Sequence, residues 1–89
     1  MIYYDWNIDK NNELRKTRNI SFEIIVVQIE NGNILDILDH PNKEKYGNQR
    51  IYIVAVDDYA YLVPFVQEGE KVFLKTIIPS RKATKKYLR

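Results

Sequence analysis

Three features of the chain predict an α+β fold. The apolar residues follow a helical period up to Gly32 and a period of two after it. Two turn signals, Asp58-Tyr59 and Glu68-Gly69-Glu70, cut the second half into hairpin-sized pieces. The closing segment from Ser80 returns to a helical pattern that is strongly basic. The predicted elements are two N-terminal helices, four strands and a short basic C-terminal helix.

Residues 9 to 18, DKNNELRKTR, are good helix formers with Leu14 as their apolar anchor. In the next segment the β-branched run Ile24, Ile25, Val26, Val27 favours a strand, but Phe22, Ile25, Val26 and Ile29 recur at helical spacing. Ser21 as N-cap, Glu23 in the first turn and Gly32 as a stop decide for a helix. Strands are predicted at residues 33 to 39, 50 to 57, 60 to 67 and 71 to 78, with a polar loop, HPNKEKYGNQ, after the first.

The last three strands read as an antiparallel meander. A two-residue turn at Asp58-Tyr59 sets Tyr52 opposite Phe65, and a three-residue turn at 68 to 70 sets Phe65 opposite Phe73 and Val63 opposite Lys75. One face then gathers Arg50, Tyr52, Tyr61, Phe65, Phe73 and Lys75, whereas a two-residue turn at Glu68-Gly69 moves Lys75 to the other face. Pro64 falls inside a central strand, where its missing N–H requires a bulge or an unpaired ladder position. In PSRKATKKYLR, Ser80 is the N-cap, Ala83 and Tyr87 form an apolar seam, and Arg81, Lys85 and Arg89 line a basic row widened by Lys82 and Lys86.

At 89 residues, 45% hydrophobic and 29% charged, residues 1 to 89 are expected to form a single domain. A chain this short buries only about 60% of the surface it exposes when unfolded, so a stabilising partner is in keeping with its size. The absence of cysteine removes disulfides, thiolate metal sites and a cysteine nucleophile, and the lone His40 removes two-histidine metal sites. No cofactor or metal is expected. No apolar run approaches the ~20 residues that cross a bilayer, and Met1 to Lys10 does not read as a leader, so a cytoplasmic protein without a membrane partner is expected.

Charge is unevenly placed. The formal net charge is +2, yet residues 1 to 70 sum to −5 and residues 71 to 89 to +7, with no acid in the latter. Such asymmetry points to an anionic partner, nucleic acid above all, meeting one surface.

Two stretches then resemble a known family. Trp6, Asp9, Lys10, Asn12, Leu14 and Arg15 followed by Ile20, Ser21, Phe22 and Glu23 are similar to the family's tryptophan, lysine and asparagine pattern leading into a serine-phenylalanine-glutamate helix start. Ile77, Ile78, Pro79, Ser80, Arg81, Lys82, Ala83 and Thr84 are similar to its closing strand and helix start. The family is the BrnT group of type II toxin-antitoxin toxins, within the RelE/ParE superfamily, and the resemblance spans nearly the whole chain. It implies two N-terminal helices packed on one face of a four-stranded antiparallel sheet, followed by the basic helix. It also implies an RNA-cleaving toxin that inhibits translation, with or without the ribosome. Its partner would be a small ribbon-helix-helix-like antitoxin, through which alone it meets operator DNA. The chain departs from the family in reading Thr17-Arg18 where a histidine is frequent and Thr76 where an arginine is frequent.

Metal-free RNA scission needs the 2′-hydroxyl deprotonated, the phosphate charge stabilised and the 5′-oxygen protonated. Arg81 and Lys75 are the candidates for the phosphate, since cations placed at developing charge usually lower such a barrier more than any other single effect. His40, as the one imidazole in the chain, is the candidate general base, and Tyr61 is an acid/base or stacking candidate. Tyr52, Phe65 and Phe73, interleaved with Arg50 and Lys75, read as an RNA-binding platform, or as a surface for a protein partner, and Lys82, Lys85 and Lys86 as phosphate contacts. Two other readings are a non-catalytic module that binds an antitoxin and a gyrase poison of the ParE kind.

Overall fold

The computed structural model describes residues 1–89 apart from the side chain of Tyr46. In chain order the elements are β1 (Tyr3–Trp6), α1 (Ile8–Arg18), α2 (Phe22–Glu30), β2 (Ile34–Asp39), α3 (Lys43–Tyr46), β3 (Gln49–Val56), β4 (Tyr59–Glu68), β5 (Lys71–Leu74), β6 (Ile78–Pro79) and α4 (Arg81–Leu88). The α+β class stands, with six strands in place of the expected four.

Side-chain caps begin the helices. Asn7 accepts the N–H of Lys10 at 2.9 Å and Ser21 that of Ile24 at 3.3 Å, while Asn19 turns left-handed at φ 53° to end α1. Asn11, rather than the exposed Asn12, is the buried asparagine. Its amide accepts from Phe22 N–H at 2.8 Å and donates to Glu23 Oε1 at 2.7 Å, which locks α1 to the start of α2. A buried polar group with both ends satisfied fixes one arrangement of the two helices.

The sheet order is β1-β5-β4-β3-β2, with β6 paired to β4 beyond the end of β5. β1, absent from the sequence expectation, lies parallel to β5 and brings Trp6 onto Phe22, ring centroids 5.7 Å apart. α1 and α2 cover one face of the sheet around Leu14, Phe22, Ile25, Val54, Val63, Phe65 and Leu74, each of the larger side chains stabilising by about 1.5–3 kcal/mol. α4 covers part of the other face, setting Ala83 against Ile53 and Ala60.

Both hairpin turns differ from expectation. The β3–β4 turn is Asp57-Asp58, at φ 50° and 64°, and pairs Val56 with Tyr59. That pair of left-handed residues gives the twist a two-residue hairpin needs. The ladder therefore shifts by two residues, Tyr52 facing Val63 and Arg50 facing Phe65, which leaves every side chain on its expected face. The β4–β5 turn is also two residues, Gly69-Glu70, with Gly69 at φ 61° and Glu68 opposite Lys71. This odd shift moves Phe73 and Lys75 to the face that α4 shares.

Pro64 accounts for the break in the expected strand 71 to 78. Its carbonyl accepts Lys75 N–H at 2.8 Å, so by ladder alternation its ring nitrogen faces the same neighbour, where it has nothing to donate. Leu74 pairs with Phe65 and Ile78 with Leu62, so Lys75, Thr76 and Ile77 stand opposite only Val63 and Pro64. The strand bulges there and divides into β5 and β6. Arg18 donates to the Ile77 carbonyl at 2.7 Å, tying the end of α1 to the bulge.

At each margin of the sheet an aspartate bends back on its own strand. Asp5 Oδ1 accepts Trp6 N–H at 2.9 Å on β1, and Asp36 Oδ1 accepts Ile37 N–H at 2.8 Å on β2. Both N–H groups point away from the sheet by the alternation of their ladders.

Candidate nucleic-acid interface

α4 is positioned by its apolar side and so presents its basic side. Ser80 Oγ accepts Ala83 N–H at 3.1 Å, and Ser80 N–H donates to Ala60 O at 3.0 Å, which joins β6 directly to the helix. Buried Thr84 accepts Ala60 N–H at 2.9 Å and donates to Ser80 O at 2.8 Å. Farther along, Tyr87 donates to Asp36 Oδ2 at 2.6 Å. The Tyr87 hydrogen bond foremost, then the Ile37 N–H, hold the Asp36 carboxyl below its ordinary range, and the same contact pushes the Tyr87 hydroxyl up. With Ala83, Thr84, Tyr87 and Leu88 turned to the sheet, Arg81, Lys82, Lys85 and Lys86 are left exposed.

None of these cations belongs to an ion pair among the described residues, although Lys86 acts electrostatically on the Asp36 carboxyl. Among the described residues the ion pairs involve Met1, Lys10, Arg15, Lys43, Arg50 and Lys71, and none includes Lys75, Arg81, Lys82, Lys85 or Lys86. Lys75 lies 5.9 Å from the Phe73 ring centroid and Lys86 5.2 Å from that of Tyr87.

A groove of about 460 Å³ opens on the α4-bearing face of the sheet. Val66 and Phe73, paired across β4 and β5, supply apolar surface; Asn48 and Gln49 supply amides; Glu68, Lys71 and Lys75 supply charge. Gln49 is the register partner of Val66, so Gln49, Val66 and Phe73 form one row across three strands.

The residues singled out in the sequence do not share one place. Lys75 lines the groove and Arg81 begins α4. Tyr61 is half-buried on the opposite face, edge-on to Tyr59 at 5.6 Å, and burial foremost, then Tyr59 and Asp57, raise its hydroxyl above the ordinary phenol range. The shift favours the protonated hydroxyl. His40 sits just after β2, where Nδ1 accepts Asn42 N–H at 3.1 Å and the His40 backbone N–H donates to Gln49 O at 3.2 Å. That second bond sets its backbone alongside β3, which begins at Gln49 of the groove.

Arg50, Tyr52 and Phe65 form no open platform. Tyr52 and Phe65 are 7% and 2% exposed and stack at 4.0 Å on the face covered by α1 and α2, so they present no ring to an outside base. Arg50 is exposed at the rim of that face and pairs with Asp39 at 3.7 Å. The groove residues Asn48, Gln49 and Glu68 were missed, because only the register brings them beside Phe73 and Lys75.

Among the described residues, no helix is long and apolar enough to cross a membrane, and no three His, Cys, Asp or Glu side chains are grouped to hold a metal ion. Comparison of the chain with protein-family models, curated proteins and solved structures finds no match in any of the three.

Proposed function

We propose that this chain is the toxin of a type II toxin-antitoxin pair, of the BrnT kind with a RelE/ParE-like fold, and that its target is RNA. The observation that carries this reading is the group of exposed cations on α4 and at Lys75, all on the side of the sheet that holds the groove. RNA phosphates release counterions to such a surface, which supplies affinity without sequence preference. The resemblance at both ends of the chain names the class of toxin.

Within this reading Arg81 meets the scissile phosphate. Arg81 is the first residue of α4, and a fork of donors suits the developing charge better than an ammonium. Lys75 supplies a second cation. The antitoxin, a small ribbon-helix-helix-like protein, would cover the toxin and connect it to operator DNA.

A second reading is a module that binds RNA or an antitoxin without cleaving. It is favoured by one specific observation: Tyr61 and Lys75 lie on opposite faces of the sheet, so the four candidate catalytic groups do not converge. Incubation of purified chain with RNA, alone and with ribosomes, separates the two. Cleavage lost in Arg81→Ala supports the nuclease, whereas intact RNA in every case, with binding retained, supports the module. Growth arrest on expression, relieved by the product of the adjoining reading frame, supports the toxin in either form.

A further inference from the structure

We infer that the groove beside Phe73 is a subsite for one unpaired nucleotide of single-stranded RNA, with the base against the Phe73 ring and its phosphate at Lys75. The inference rests on the RNA reading above and gives that surface a specificity the helix cations lack. Three properties of the groove lead to it.

The first is shape and surface. About 460 Å³ lined by Val66 and the half-buried Phe73 ring gives an apolar π-surface the size of a small-molecule site, open on one side. Aromatic side chains on a sheet accept bases whose faces are free, and a base inside a duplex has none to offer. The second is polarity. Asn48 and Gln49 bring carboxamides, each with a donor and an acceptor, to the same groove, which is the chemistry that meets base edges in pairs of hydrogen bonds.

The third is the distribution of charge along β5. Lys71 is held by Asp5 at 3.7 Å near the hairpin, where Glu68 also lies, while Lys75 has no acid partner among the described residues and stands at the opposite end beside Pro64. Phosphate is thus excluded from the Glu68 end and drawn to the Lys75 end. A ribose hydroxyl, which donates, suits the carboxylate. α4 then holds flanking phosphates on the same side of the sheet.

The test measures binding of a short labelled RNA, single-stranded and annealed to its complement, to the full chain by fluorescence anisotropy across a salt series. Phe73→Leu keeps apolar volume and removes the ring, and Gln49→Ala removes one amide; thermal melts establish that each variant folds. Phe73→Leu is expected to weaken single-strand binding at least fivefold, the lower bound of about 1–3 kcal/mol per stacked base, with duplex binding and the salt slope unchanged. Gln49→Ala is expected to weaken it for some base compositions and not others. Wild-type binding that both variants preserve would overturn the subsite while leaving RNA as the target. Failure of the wild-type chain to bind any RNA would overturn the target itself. Light scattering on the same samples covers the remaining case: self-association that Phe73→Leu abolishes, with oligonucleotide affinity intact, assigns the groove to a second copy of the chain and overturns the subsite.

Discussion

The hydroxyl of Thr84 accepts the backbone N–H of Ala60 at 2.9 Å, so a helix completes the hydrogen bonding of a strand to which it does not belong. Ala60 would otherwise present a buried donor just beyond the two-residue β6, whose ladder ends at Pro79 and Tyr61. The same hydroxyl donates back to Ser80, and the three residues fix where α4 starts.

Thr84→Val is therefore expected to destabilise by about 1–3 kcal/mol, the cost of a buried donor left without an acceptor. Thr84→Ser keeps the hydroxyl, loses one methyl, and should cost about 1 kcal/mol or less. Urea unfolding of both variants checks the order; equal losses would mean that packing, and not the hydrogen bond, holds the helix.

Asn11→Ala removes two hydrogen bonds at a buried position and leaves Phe22 N–H unsatisfied, with an expected loss of about 2–3 kcal/mol in the same measurement.

Glu23 adds a pH dependence. The Asn11 hydrogen bond foremost, helped by Arg15 at 3.0 Å, lowers the Glu23 carboxyl from its ordinary range. A depressed carboxyl contributes stability that is fully present above its unfolded-state value and is lost as pH falls through the folded one. The advantage of the wild type over Glu23→Gln should thus be constant near neutrality and vanish in acid. An advantage that persists at the most acidic pH where the chain folds would assign it to shape instead of charge.

Pro64→Ala should cost only about 0.4–1 kcal/mol, because the new N–H faces the bulge and the chief change is a freer unfolded chain. A larger loss would show that the ring itself packs.

Replacing Lys82, Lys85 and Lys86 together by Ala should lower the slope of log affinity against log salt by about 2, each phosphate contact contributing about 0.7 on a single strand. Arg81→Ala should instead abolish most cleavage with affinity kept within a few-fold, since a contact made mainly in the transition state adds little to ground-state binding. A slope unchanged in the triple variant would place the RNA elsewhere.

The helix starts at Ser21 and Ser80 were readable because a cap is a local event: a hydroxyl, a following N–H and a change of period lie within a few residues. β1 was not, because Tyr3–Trp6 is only four residues long and its partner, β5, lies at the far end of the chain. Alternation correctly grouped Arg50, Tyr52, Tyr61 and Phe65 on one face, but it carries no information on which face the helices cover; Tyr52 and Phe65 proved to be core. The groove depended on a single residue of turn length at Gly69. That residue decides whether Phe73 joins Tyr52 beneath the helices or faces outward with Lys75.

The aspartates at the two margins bear on how the molecule lives in a crowded solution. A flat sheet with open ends is a template on which any stray extended chain can crystallise, copy after copy. Here one outward N–H on each of the edge strands β1 and β2 is taken up from within, by Asp5 on one side and Asp36 on the other. Tyr87 foremost, then the Ile37 N–H, lower the Asp36 carboxyl from its ordinary range, so the carboxylate that holds the β2 contact is favoured over its protonated form. A strand added at either margin would find one donor fewer to pair with.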